Sequence, residues 1–197
     1  MRYSVEHKQQ THDKLLAAAA AAIRAHGPDR VGVACLMAKA GLTHGGFYAH
    51  FESKDALIGA AIDRMFEESR ARIREVTRDL PPREGLAAYI DFYLSPRHRD
   101  ARGGGCALAA LAGDLPRLDL ATRRRFAAGV HRLREILAKA LRLLGRDDAD
   151  ALADSMLAEL VGALAIARTE PERERSDAIL THSRDALKRR FRLDSDT

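Results

Sequence analysis

Within residues 41–54, GLTHGGFYAHFESK, four kinds of group able to hydrogen-bond or carry charge fall in one window. Thr43 supplies a hydroxyl, His44 and His50 imidazoles, Tyr48 a phenol and Lys54 an ammonium. Such side chains donate to phosphate oxygens, and an imidazole can also reach a base edge. Among them stand Gly45 and Gly46. A glycine inside a helix costs about 1 kcal/mol relative to alanine, and a local violation of that kind tends to mark a functional site. A helix start stripped of side chains can sit deep in a major groove with its N–H groups near phosphate. The chemistry expected is therefore non-covalent recognition of double-stranded DNA. His44 is placed to read a base edge, Tyr48 and His50 to donate to phosphates, and Lys54 to add a charge.

Other elements must hold that window in place. Phe47 and Phe51 stand four apart, at helical spacing, and are expected to pack on Ile23, Leu36 and Leu42. A short amphipathic helix over Val33 to Ala40, closed by Gly41, precedes it, and Thr43 is placed to cap a second short helix with its hydroxyl. Short helix, glycine turn and short helix are the organisation of a helix-turn-helix. Ahead of them a helix is expected from Lys8 to His26, with Leu16, Ala19, Ala20 and Ile23 on one face and Gly27-Pro28 as its stop. Ser53-Lys54-Asp55 should open the next helix. Cys35 is expected to pack inside this small core.

The charge is distributed to match. The chain of 197 residues carries a net +5, and residues 1–54 hold seven Lys/Arg against four Asp/Glu, with five of the eight histidines. Basicity concentrated at one end suits an anionic partner.

On these residues the chain resembles the TetR family of bacterial transcriptional repressors. The matching run is AGLTHGGFYAHFESKD, residues 40–55, with its alanine-glycine turn, Phe47-Tyr48, His50-Phe51 and Ser53-Lys54 followed by an acid. The resemblance implies that Thr43, His44, Gly45, Gly46 and Tyr48 face bases and adjacent backbone, while His50 and Lys54 hold phosphates. It also implies a helix-turn-helix domain over residues 1–54 and a ligand-binding, dimerising helical domain over 55–197. The function it implies is a repressor, without cofactor or catalysis, that binds a palindromic operator as a homodimer and is released by a small-molecule or electrophile inducer.

The rest of the chain reads as all-α. Apolar residues make up 46% and charged residues 31%, aromatics only 5%, and alanine, leucine and arginine dominate. About nine helices are expected: three small ones first, then a larger bundle. Leu80-Pro81-Pro82 breaks the chain, Ser95-Pro96 with HRDAR and three glycines reads as a loop, and Asp119 is placed to cap a helix that ends at Gly145. No uncharged run reaches the roughly 20 residues that would span a bilayer, and no secretory signal is visible, so a cytoplasmic protein without membrane contact is expected. The helix near 148–168 interleaves Ala151, Ala158, Gly162, Ala163 and Ala165 with large residues, which suits close approach of helices; the resemblance implies a homodimer through the last two helices.

Cys106, in GGGCALAALAG, has two readings. One is a sensor thiol, because Arg99 and Arg102 lie close in sequence and it opens a helix; some members of one TetR branch respond to electrophiles through a cysteine here. The other is a small buried hydrophobe. An enzyme or metal protein using Cys35, His44, His50 or a Cys106 nucleophile is an alternative, but those residues lack recognised ligand spacing, and His98 and His131 belong to other elements. A helical protein-interaction scaffold without DNA binding is a further alternative.

Overall fold

A computed structural model of the chain describes residues 5–39 and 41–193, with the side chains of Val5, Lys39 and His44 outside that description. The regular structure among these residues is helical throughout: α1 (Val5–His26), α2 (Val33–Lys39), a 3-10 helix (His44–Ala49), α3 (Lys54–Val76), α4 (Pro82–Tyr93), α5 (Pro96–Asp100), α6 (Ala107–Leu111), α7 (Leu120–Leu143), α8 (Ala149–Thr169) and α9 (Arg173–Phe191). Two further 3-10 turns cover Arg102–Gly104 and Leu115–Arg117.

Local chemistry accounts for most boundaries. Gly27, Gly41 and Gly145 have φ of +84°, +70° and +73° at the ends of α1, α2 and α7, a region that only glycine enters without strain. The Ser53 hydroxyl accepts from the Ala56 N–H at 3.0 Å and opens α3. The Asp119 carboxylate does the same for α7, accepting from Thr122 N–H at 3.0 Å. α1 buries Leu15, Ala19, Ala20 and Ile23. Its stripe thus runs through Leu15, with Leu16 only partly covered.

Three expectations change. The segment after α4 is helical: Ser95 Oγ accepts from His98 N–H at 3.1 Å and Pro96 supplies a preset first helical φ, so Ser-Pro starts a helix here. The second helix of the helix-turn-helix is a six-residue 3-10 helix, tighter than an α-helix, consistent with the low propensity of Gly45-Gly46. Cys35 is exposed. In a helix of seven residues the inward positions go to Leu36 and Met37, and Cys35 falls outside them. Ala40, expected on that inward face, lies outside the described residues.

α3 is the long strut of the molecule. Its 23 residues span about 34 Å at 1.5 Å each, from the 3-10 helix into the bundle, and it packs on α1 and on α7. α7, α8 and α9 pack in succession. Among the described residues no helix is long and apolar enough to cross a membrane, and no group of three or more His, Cys, Asp or Glu is placed to hold a metal.

Candidate nucleic-acid interface and ligand cavity

The 3-10 helix has a packed side and an open side. Phe47 and Phe51 are 3% and 6% exposed, with ring centroids 5.8 Å apart, in one core with Ile23 and Leu36. The His12 ring of α1 stacks on Phe51 at 4.7 Å. On the open side Tyr48 is 69% exposed, its ring held edge-on by Phe47 at 5.4 Å. A β-carbon on Gly45 would meet nothing within 4 Å, whereas one on Gly46 would touch Met37 Cε at 3.5 Å. Gly45 therefore bares the surface, and Gly46 turns toward α2.

Thr43 sits at the N-cap with extended backbone, but its hydroxyl makes no capping bond; its carbonyl accepts from Gly46 N–H at 3.0 Å instead. Among the described residues the hydroxyl has no hydrogen-bond partner. The side chain of His44 lies outside the described residues. Lys54 begins α3 and is half-buried. His50 is half-buried too, with its Nδ1 enclosed and unpartnered. Burial, then the nearby His12 and Lys8, hold its imidazole below its usual pKa. Lys8 and His12 of α1 thus lie near His50, the two imidazole rings 6.0 Å apart. Sequence reading missed both, although their spacing of four along a helix puts them on one face.

Behind this interface lies a buried tie to the bundle. Arg24, near the end of α1, is 8% exposed. Its Nε–H donates to the Gly103 carbonyl at 2.7 Å and its Nη2 pairs with Glu68 of α3 at 2.7 Å. The turn Arg102–Gly104 lies directly on α1, where a β-carbon on Gly103 would stand 3.4 Å from the Ala21 carbonyl oxygen. The same glycine loop, Gly104-Gly105-Cys106, walls a cavity of about 210 Å³, which Arg24, Tyr93 and His98 also line.

Cys106 is 6% exposed and caps the short α6. His98 belongs to another element than Cys106, as expected, yet lies in the wall of the same cavity: the helical α5 turns the ring inward, 7% exposed. Nδ1–H of His98 donates to the Tyr93 carbonyl at 2.8 Å, which leaves Nε2 as an acceptor. Burial pushes the His98 imidazole below its usual pKa, against the opposing pull of that bond. The Tyr93 hydroxyl is enclosed beside the Cys106 thiol, without a well-formed hydrogen bond among the described residues, and burial, with Cys106 next in effect, raises its pKa far above the phenol value.

The arginines near Cys106 divide differently from their sequence order. Arg99 turns away to Asp100 and Asp177, at 2.8 and 2.6 Å. Arg102 reaches toward the Arg168 carbonyl. Arg168, from α8, comes close to Gly105, and burial lowers its pKa, opposed in part by Cys106 and Tyr93. It donates to the carbonyls of Arg99 and His98 at 3.1 and 3.3 Å, and no carboxylate pairs with it among the described residues.

A helix-turn-helix with an open recognition surface, joined to a helical bundle with a cavity, is the build of a DNA-binding regulator. Residues 15–61 match the profile described as "Bacterial regulatory proteins, tetR family". Among solved structures, a TetR transcriptional regulator from Chloroflexus aurantiacus superposes with a TM-score of 0.80 at 26% identity, over 93% of this chain and 94% of that one. A TetR-family regulator from Agrobacterium tumefaciens gives 0.79 at 24% identity, over 92% and 97%. Reduced NemR from Escherichia coli gives 0.78 at 23%, over 91% and 97%. No curated protein matches. Residues 15–61 belong to the TetR family of bacterial regulatory proteins, and the chain around them has the fold of that family's transcriptional regulators.

Proposed function

We propose that the protein is a cytoplasmic transcriptional repressor that binds a palindromic operator as a homodimer and releases it when a small-molecule or electrophile inducer binds. Residues 1–54 form the DNA-binding domain and 55–197 the ligand-binding and dimerisation domain. Thr43, His44, Gly45, Gly46 and Tyr48 face bases and adjacent backbone, and His50 and Lys54 hold phosphates. The observation that carries the reading is Arg24. One side chain of the DNA-binding domain bonds the loop that walls the cavity and also pairs with the strut α3. A ligand that moves the loop therefore acts on α1 directly, provided it binds the two arrangements with different affinity.

Dimerisation follows from what one short recognition helix can do, since it reads too few base pairs alone, and its placement on α8 and α9 follows from the resemblance to the TetR family. The exposed face of α8 supports it: Ala151, Ser155 and Ala158 are small, Gly162 has open space before it, and Ile166 is 58% exposed. Titrating the protein onto DNA upstream of its own gene tests the reading. A sequence-selective complex of two chains per site is expected; equal affinity for unrelated DNA defeats it.

A second reading makes Cys106 the sensor, favoured by its place in the cavity wall with Arg168 and Tyr93 beside it. Addition to an electrophile forms an S–C bond and passes the thiol proton to the electrophile, enlarging the side chain inside about 210 Å³. Cys106→Ser should then abolish electrophile-driven release of DNA. Unchanged release makes Cys106 a packing residue.

A further inference from the structure

The cavity beside Cys106 has a neighbour, of about 200 Å³, and the same three helices build both. On α3 and its C-cap the wall passes from Arg72 to Thr77, on α4 from Tyr93 to Gly85, and on α7 from Leu133 to Ala140. Each step is one or two helical turns, so the two spaces lie end to end along one groove. Tyr89 lines both and stands as the partition. The two ends differ in chemistry. The first holds Arg24 and Arg72 against a single acid, Glu68, and the Tyr93 hydroxyl, which makes no well-formed hydrogen bond among the described residues. The second is lined by no charged residue, and its rim includes Leu80 and Leu143, which are 42% and 64% exposed.

We infer that the two cavities form one channel for a single-tailed amphipath, a straight-chain aliphatic carboxylate, with its head in the first and its tail in the second. This rests on the reading of the first cavity as the effector site. Arg24 is already engaged by Gly103 and Glu68, so Arg72 is the cation for the head; its present partner, Glu75, is an exposed residue on the same helix. The Tyr93 hydroxyl, which has the weakly accepting Cys106 sulfur beside it and no well-formed hydrogen bond, donates to the second head oxygen, a stronger acceptor. The tail displaces the Tyr89 ring and lies along Ile136 and Ala140. The second cavity is lined mainly by apolar side chains and by no charged one, which suits a hydrocarbon chain.

Calorimetric titration of the full chain with sodium carboxylates of four to twelve carbons, below their micelle concentrations, tests this. Each added methylene that enters the second cavity should tighten binding about fourfold, the equivalent of about 0.8 kcal/mol. Ala140→Phe, which fills the second cavity, should truncate that length dependence. Ile136→Trp should do the same and serves where Ala140→Phe does not fold. Arg72→Gln should weaken all lengths by a common factor of about ten. Affinity that is flat with chain length overturns the inference, as does a length dependence that both cavity-filling variants leave intact. Operator release is read separately. Carboxylates that bind in the expected way without releasing DNA uphold the channel and defeat the regulatory reading. Release by some other small molecule, with flat carboxylate binding, does the reverse.

Discussion

Arg24 of α1 donates its Nε–H to the carbonyl of Gly103 at 2.7 Å, across 79 residues of sequence. The bond joins the helix that carries the DNA-binding domain to the loop that leads into Cys106. Arg24→Gln keeps some polarity but loses both the Gly103 bond and the pair with Glu68. A loss of about 1–3 kcal/mol in unfolding free energy is expected from the buried groups left unpaired, while Glu68 keeps its bond from Arg64 at 2.9 Å. The regulatory consequence is more specific. The variant should bind operator but show a weakened inducer response, read as the ratio of operator affinity with and without inducer. A full response in the variant means the coupling runs elsewhere.

Gly129 of α7 faces the ring of Phe66 of α3, and a β-carbon there would stand 2.2 Å from Cδ2. Phe66 is 1% exposed and packs edge-on against Phe126 at 5.1 Å, so its ring has little room to retreat. Gly129→Ala should destabilise the protein by about 1–3 kcal/mol through overpacking, despite the better helix propensity of alanine. Urea unfolding measures it. Adding Phe66→Leu should restore part of the loss in a double-mutant cycle; strict additivity would mean the two residues do not meet.

His98 gives the stability a pH dependence with a definite sign. Burial holds its folded pKa below 6.5, so the unfolded chain takes up the proton first. The stability it contributes is present above 6.5 and is lost as pH falls through the folded value. Wild type should therefore lose stability relative to His98→Gln between pH 7 and pH 5. Parallel curves for the two proteins would contradict a buried neutral imidazole.

These predictions divide into what local sequence shows and what only packing shows. Gly27, Gly41, Gly145, Ser53 and Asp119 end or start helices through bonds and dihedrals within a few residues, and all five are legible as such. The burial of Phe47 and Phe51 follows from their spacing alone. His98 beside Cys106, Arg168 beside both and the Arg24 tie come from distant turns of chain, which no periodicity encodes. The outward Cys35 is a third kind of case. A seven-residue helix has too few turns to average its facing, so one position more or less decides burial. Gly45 and Gly46 look equivalent in sequence, yet one opens to solvent and the other meets Met37.

Contact of Tyr48 and Lys54 with DNA is what the proposed repressor function rests on. Its most direct test is operator affinity across a series of salt concentrations for wild type, Lys54→Ala and Tyr48→Ala. Lys54→Ala should weaken binding and reduce the slope of log K against log salt by about one per contacted phosphate charge. Tyr48→Ala, losing an exposed ring whose aromatic contact among the described residues is with Phe47, should weaken binding without altering thermal unfolding. Unchanged affinity and slope in both variants would contradict the claim that this face of the 3-10 helix binds DNA.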